Sequence, residues 1–206
     1  MVRPSVISDK AHHIADPFGR LAARTRIPPN SITIGGFLLV IVVAWVISEG
    51  HLVLGGVLAL LVSCSDFIDG AMARAMNKET RFGALLDSSL DRYSEAVLLL
   101  GLLWFFAQKQ ATVEMTLIFT AVVGSLLVSY VRARAEGLGL DAEVGIMRRT
   151  ARVITLSLGL MLSPVQYALY AILWILAVLT HVTALYRLFY VWRASRNAGR
   201  QRKGEQ

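Results

Sequence analysis

The chain of 206 residues is 55% hydrophobic and 17% charged, against about 25% charged in an average soluble domain. A single core of that length cannot hide so much apolar surface, and with a mean hydropathy of +0.57 a soluble globular domain is excluded in favour of an integral membrane protein. The single cysteine, Cys64, excludes a disulfide scaffold, and the net charge of +7 leaves nucleic acid or an anionic membrane surface as partners, to be decided by where the basic residues fall.

Residues 1–13 are polar and lack the apolar core of a secretory signal, so no cleaved leader is expected. Between Asp9 and Arg26 the apolar Ile14, Phe18, Leu21 and Ala22 fall at helical spacing with Arg20, Arg24 and Arg26 interleaved. This pattern predicts an amphipathic helix lying at the membrane interface, with an exposed pre-membrane linker as the alternative. Six hydrophobic runs follow, at 32–48, 52–75, 83–106, 113–133, 149–162 and 165–190. Each is near the length of about 20 residues that a helix needs to cross hydrocarbon, the fifth having the shortest apolar part. The predicted architecture is an all-α polytopic membrane protein with six transmembrane helices. It is organised as a cytoplasmic segment with the interfacial helix at 1–30, a membrane domain at 31–192 and a basic cytoplasmic tail at 193–206.

Charge fixes the expected orientation. With the connection at 49–51 taken as external, 20 of the 21 Lys and Arg residues fall on the other side and only Lys109 on the outside. The positive-inside rule then places both termini in the cytoplasm and removes nucleic acid as the reason for the charge. The external turns at 49–51 and 163–164 are too short for an outer domain, so any chemistry belongs in the membrane or on its cytoplasmic face.

The second run carries Asp66 and Asp69 and the third Asp87 and Asp91. A carboxylate at the centre of a membrane helix costs about 2.5–3.5 kcal/mol even on the lenient insertion scale, so four of them require a compensating cation. The i,i+3 and i,i+4 spacings put each pair on one helical face. Antiparallel packing about the connection near Lys78 brings Asp69 opposite Asp87 and Asp66 opposite Asp91. Asp66 lies about 14 Å from the end of its run at Ala75, which places the cluster in the inner leaflet. An all-oxygen set without His or Cys suits Mg²⁺ or Mn²⁺ rather than zinc, and two ions would match the geometry of phosphoryl displacement. Buried aspartates paired with Arg74, Arg81 or Arg92 would account for one or two positions but not for four. Gly70 and Gly83 allow close approach of a ligand to the backbone, although membrane helices also use glycine for packing, and Arg74 offers a fork for phosphate oxygens.

A divalent-cation or proton-coupled transporter would also place acids in the membrane. Its site would lie at the midplane between inverted repeats, whereas these acids are off-centre and no repeat is visible. His12 and His13 are adjacent and cannot share a helical face. Cys64 points away from Asp66, and Trp104, Trp174 and Trp192 read as interface anchors.

The string Asp66-x2-Asp69-Gly70-x2-Ala73-Arg74-x8-Gly83-x3-Asp87-x3-Asp91 resembles the complete signature of the CDP-alcohol phosphotransferase family. The Pro29-Asn30-x2-Thr33 stretch and the six-span layout extend the resemblance over most of the chain. Members of that family are dimeric, metal-dependent membrane enzymes that move a substituted phosphoryl group from a CDP-linked donor to an alcohol and release CMP. The resemblance implies that Asp66, Asp69, Asp87 and Asp91 hold the metal, with Asp91 also the general base. It implies that the CDP-lipid lies across Asn30, Ser31, Ile32, Thr33, Gly70, Ala73, Arg74, Thr80 and Gly83.

The run from Ser129 to Glu136 and Leu86-Asp87-Ser88-x2-Asp91-Arg92 are similar to the branch that makes phosphatidylinositol phosphate or its archaeal ether-lipid counterpart. That likeness implies CDP-diacylglycerol or CDP-archaeol as donor and inositol 1-phosphate as acceptor, with glycerol 3-phosphate the alternative acceptor. A phosphorylated acceptor needs a cationic pocket, for which Arg132, Arg134, Arg149, Arg152 and Arg193 are the candidates, Arg132 and Arg152 foremost. Where the branch shows Arg-Pro-Glu-Arg before the fifth span, this chain has Arg149-Thr150-Ala151-Arg152, keeping both arginines and losing the Pro and Glu.

Overall fold

The computed structural model describes residues 29–75 and 80–204, with side chains described at 30–64 and 80–196. The predicted interfacial helix, within residues 1–28, and the connection about Lys78 lie outside the described residues. Among the described residues the regular elements are six α-helices: α1 Pro29–Ser48, α2 Leu52–Ala75, α3 Arg81–Gln108, α4 Thr112–Gly137, α5 Arg149–Met161 and α6 Ala168–Gly204. They coincide with the six hydrophobic runs. Leu, Ile, Val and Ala dominate those runs and no proline interrupts an interior, so every residue can satisfy its backbone within its own helix, as hydrocarbon demands.

The connections are set by turn chemistry. Gly50, at φ 90°, closes the turn between α1 and α2. Thr80 caps α3 by accepting a hydrogen bond from the Gly83 amide at 2.9 Å. Pro164 follows α5, where a helix cannot easily continue. Helix α6 runs unbroken to Gly204, through most of the stretch predicted as a basic tail.

Among the described residues, three helical stretches are long and apolar enough to cross a membrane: Asn30–Ser48, Thr112–Gly137 and Ala168–Arg196. Two of the other helices depart from that pattern for visible reasons, and in α2 the described side chains form a shorter apolar stretch, Leu52–Cys64. The helix α3 carries Asp87, Asp91, Arg92 and Glu95, and α5 has only 13 residues.

Packing closes the helices into a ring in the order α1, α3, α4, α6, α5, α2 and back to α1. The driest part of the bundle lies at the end where α1, α3 and α5 finish and α4 and α6 begin. Ile47, Leu102, Ile118, Leu160 and Leu173 meet there, all within a buried apolar cluster. The ring is tight because small residues stand at its seams. A Cβ placed on Gly101 of α3 would lie 2.9 Å from the Ala44 carbonyl carbon and 3.0 Å from its Cα, which are backbone atoms of α1 that cannot rotate away. Gly35, by contrast, has open space where a Cβ would go.

Gly101→Ala is therefore expected to force α1 from α3 and to destabilise the protein by about 1–3 kcal/mol. Gly35→Ala should leave the thermal midpoint in detergent unchanged or slightly raised. The two midpoints, compared with wild type by light scattering or intrinsic fluorescence, check this.

Candidate functional site

The polar residues gather at the opposite end of the bundle, where α1, α3 and α5 begin and α2 and α4 finish. Three of the residues predicted to hold the CDP-lipid are brought together at the start of α3. A Cβ on Gly83 would lie 2.9 Å from Thr80 Oγ1 and 3.1 Å from Asn30 Oδ1, so the first turn of α1 packs against the capped start of α3. Ser31 is exposed there, with Ile32 and Thr33 half-buried beside it. Gly70, Ala73 and Arg74 lie on the last turns of α2, and their side chains are outside the described residues, as are those of Asp66 and Asp69.

Asp87 and Asp91 project from one face of α3 at i,i+4, Asp87 exposed and Asp91 half-buried. Among the described residues no group of three or more His, Cys, Asp or Glu converges, since half of the predicted carboxylate set is on α2. The donor chemistry of the two described members fits a hard divalent ion. Both are carboxylates on successive turns, reachable from the polar end, without a soft ligand beside them.

Beside Asp91 opens a cavity of about 310 Å³ whose lining includes Ser88, Asp91, Arg132, Arg148, Arg149 and Arg187. Arg149, at the first position of α5, places Nη2 2.8 Å from Asp91 Oδ1 and so ties α5 to α3 at the cavity's edge. The rim carries alternating charge. Arg132 donates from Nε to Glu136 Oε1 at 2.8 Å, and Glu143 lies 3.7 Å from Arg132 Nη1 and 3.8 Å from Arg148 Nη1. These rim groups are well exposed. Arg134 and Arg193, also predicted to meet the acceptor, are exposed and lie outside the lining of this cavity.

Arg152 lines the cavity too and is paired there with a carboxylate. Its side chain is 3% exposed, and Nε and Nη2 donate to the two oxygens of Glu95 at 2.6 and 2.7 Å. Nη1 donates to the Met147 carbonyl at 2.9 Å. Neither Glu95 nor Arg187 was singled out in the sequence. Arg187 is 2% exposed and reaches from α6 to the Val144 carbonyl through Nε and to the Val128 carbonyl through Nη1, both at 2.8 Å. The available signals were a glutamate one turn beyond Asp91 in an apolar run, and an arginine between Tyr186 and Leu188 well before the basic tail.

Burial separates these ion pairs energetically. Removing one partner of the buried Glu95–Arg152 pair leaves an uncompensated charge and is expected to cost about 3–5 kcal/mol. Breaking the exposed Arg132–Glu136 pair should cost about 0–1 kcal/mol. Glu95→Ala should therefore lower the thermal midpoint in detergent far more than Glu136→Ala.

The sequence profile of the CDP-alcohol phosphatidyltransferase family matches residues 26–185. The phosphatidylinositol phosphate synthase of Mycobacteroides abscessus is 37% identical over 185 residues, covering 86% of this chain and 83% of that protein. The archaetidylinositol phosphate synthase of Methanothermobacter thermautotrophicus is 33% identical over 175 residues, covering 84% and 87%. Among solved structures, the phosphatidylinositol phosphate synthase of Mycobacterium tuberculosis with CDP-DAG bound superposes with a TM-score of 0.82 at 33% identity, covering 87% of this chain and 94% of that one. The same enzyme in complex with manganese and citrate gives a TM-score of 0.81 at 32% identity, covering 86% and 88%.

Proposed function

The chain belongs to the CDP-alcohol phosphatidyltransferase family, and we propose that it transfers the lipid phosphoryl group of a CDP-linked donor to inositol 1-phosphate. The products are CMP and phosphatidylinositol phosphate, or the archaeal ether-lipid equivalent. The observation that carries this reading is the cavity beside Asp91, into which four elements turn Arg132, Arg148, Arg149 and Arg187. A phosphomonoester is a dianion near neutral pH, and a pocket with several guanidinium groups suits it better than a neutral polyol.

In this reading Asn30, Ser31, Ile32, Thr33, Thr80 and Gly83, with Gly70, Ala73 and Arg74 of α2, hold the cytidine diphosphate. Gly83 lets the nucleotide approach the start of α3 closely, and a side chain there would strike Asn30 and the cap. Asp66, Asp69, Asp87 and Asp91 hold Mg²⁺ or Mn²⁺, two ions per site. The ions, when bound, supply charge neutralisation for the phosphates. The relative complexed with manganese supports the choice of ion.

Asp91 takes the proton of the acceptor hydroxyl as its oxygen attacks the phosphorus that bears the lipid. The new P–O bond forms as the bond to CMP breaks. Arg149, paired with Asp91, holds that carboxylate at the cavity's edge. Arg132, Arg134, Arg149, Arg152 and Arg193 form the acceptor's cationic surroundings, together with Arg187 of the cavity wall. All six helices span the membrane with the interfacial helix ahead of them, both termini and the site are cytoplasmic, and the enzyme is a homodimer.

The test is an acceptor panel with purified protein, divalent metal and CDP-diacylglycerol, read as CMP release. Inositol 1-phosphate should outpace free inositol, glycerol 3-phosphate and serine. Preference for another acceptor would overturn the assignment, and metal-dependent transport without CMP would favour a transporter. Asp91→Asn should slow CMP release by about 10²–10⁴-fold. A mutant turning over at the wild-type rate would remove the general base.

A further inference from the structure

We infer that the end of the bundle remote from the proposed active site carries a second binding site, for one phospholipid with a zwitterionic amine headgroup. Lys109 holds the lipid phosphate and Glu114 the headgroup ammonium. The inference rests on the proposed orientation, which puts this end at the outer membrane surface, and not on the identity of the acceptor.

The site is built where the turns α1–α2, α3–α4 and α5–α6 come together. The whole of α3, 28 residues or about 40 Å, separates it from Thr80. Two cavities of about 710 and 530 Å³ open there, with Leu52, Phe105, Lys109 and Ser163 as their common wall. Both fall in the range of about 300–1,000 Å³ that small-molecule sites occupy.

The first cavity is chiefly apolar. Leu54 and Val57 of α2 line it, and Leu61, 61% exposed, continues their face one turn further along the helix. That stripe leads from the surface into the hydrocarbon, as an acyl chain does. The second cavity is polar, with Lys109, Glu114, Gln166, Tyr167 and Tyr170 in its lining. An occupant that reaches from one cavity into the other past Lys109 must be apolar at one end and polar at the other, which is the layout of a phospholipid.

Charge selects the headgroup. Lys109 alone of the 21 Lys and Arg residues falls at this end, against the bias that orients the chain, so it calls for another reason. Its ammonium lies 4.2 Å from the centre of the Phe105 ring, and it enters no ion pair among the described residues. A cation on an aromatic face keeps N–H donors for a phosphate. Glu114 is half-buried in the same cavity. Acids outnumber bases here, Glu49 and Glu114 against Lys109, so a net anionic headgroup is opposed. A headgroup with one charge of each sign finds a partner for each, and Tyr167 and Tyr170 offer rings to its ammonium.

The backbone adds to this. Tyr167 sits at φ 62° with its side chain 72% exposed, a left-handed conformation that a bulky residue rarely adopts. So exposed a ring gains little from packing within the bundle, and such strain persists where a ligand is clamped.

The test is native mass spectrometry of the full-length, delipidated protein in detergent. It is titrated with dioleoyl phosphatidylethanolamine, dioleoyl phosphatidylglycerol and the water-soluble phosphoethanolamine, and thermal midpoints are taken alongside. One phosphatidylethanolamine should bind per protomer, about tenfold tighter than phosphatidylglycerol, with phosphoethanolamine weaker than either lipid. Lys109→Gln should weaken both lipids by about tenfold, the loss of one charged hydrogen bond. Glu114→Gln should weaken phosphatidylethanolamine alone and so erase the preference. Both side chains are at the surface or half-buried, and the midpoints should stay at the wild-type value. Unchanged lipid binding in Lys109→Gln, a preference that survives Glu114→Gln, or phosphoethanolamine bound as tightly as the whole lipid would each overturn the inference. CMP release plays no part in these readings, so the proposed reaction stands or falls separately.

Discussion

The arrangement at the polar end depends on a charge that cannot be left alone. Burying a guanidinium or a carboxylate costs several kcal/mol unless the partner is in place, so Arg152 and Glu95 admit essentially one relation between α3 and α5. Apolar packing around the ring fixes the helices by shape but leaves more freedom, since individual side chains can repack at modest cost. The bidentate contact removes that freedom. Arg187 does similar work with carbonyls instead of a carboxylate, joining α6 to α4 and to the loop ahead of α5.

This division gives the bundle two ends with different physics. At one, Ile47, Leu102, Ile118, Leu160 and Leu173 exclude solvent and fix the helices by shape. At the other, space is kept open and the helices are held by directional polar contacts that need not fill it. A catalytic cavity between helices requires the second kind of fixing. A close-packed core would close over it, and an open one without strong contacts would not hold Asp91 and Arg149 in a fixed relation.

The sequence made the helices and the carboxylate motif legible, because hydrophobic runs of membrane length and a spaced set of acids are one-dimensional patterns. Asn30 beside Gly83 was also within reach, since the resemblance implies that both contact the same ligand from different segments. The division of labour among the arginines was not legible. Arg132, Arg149 and Arg152 look alike as cations near the ends of apolar runs, and only the fold reveals that one faces the rim, one pairs with Asp91 and one pairs with Glu95. Arg134 and Arg193 follow the same pattern in sequence and turn outward. The change in composition from apolar to basic along α6 likewise says nothing of the backbone, which continues as helix to Gly204.

The brevity of α5 has a consequence for the lipid around it. Its 13 residues make a helix about 20 Å long, some 10 Å short of the hydrocarbon thickness of a typical bilayer. If α5 crosses the bilayer in the proposed orientation, with its far end at the outer boundary, Arg149 at its start would sit below the headgroup plane. The bilayer would then have to thin or admit water at that flank. A water-soluble acceptor could descend there to meet a phosphate group whose acyl chains stay in the membrane. Bilayer thickness would thereby become a parameter of the proposed reaction, setting how deep a polar molecule must travel to reach its lipid partner.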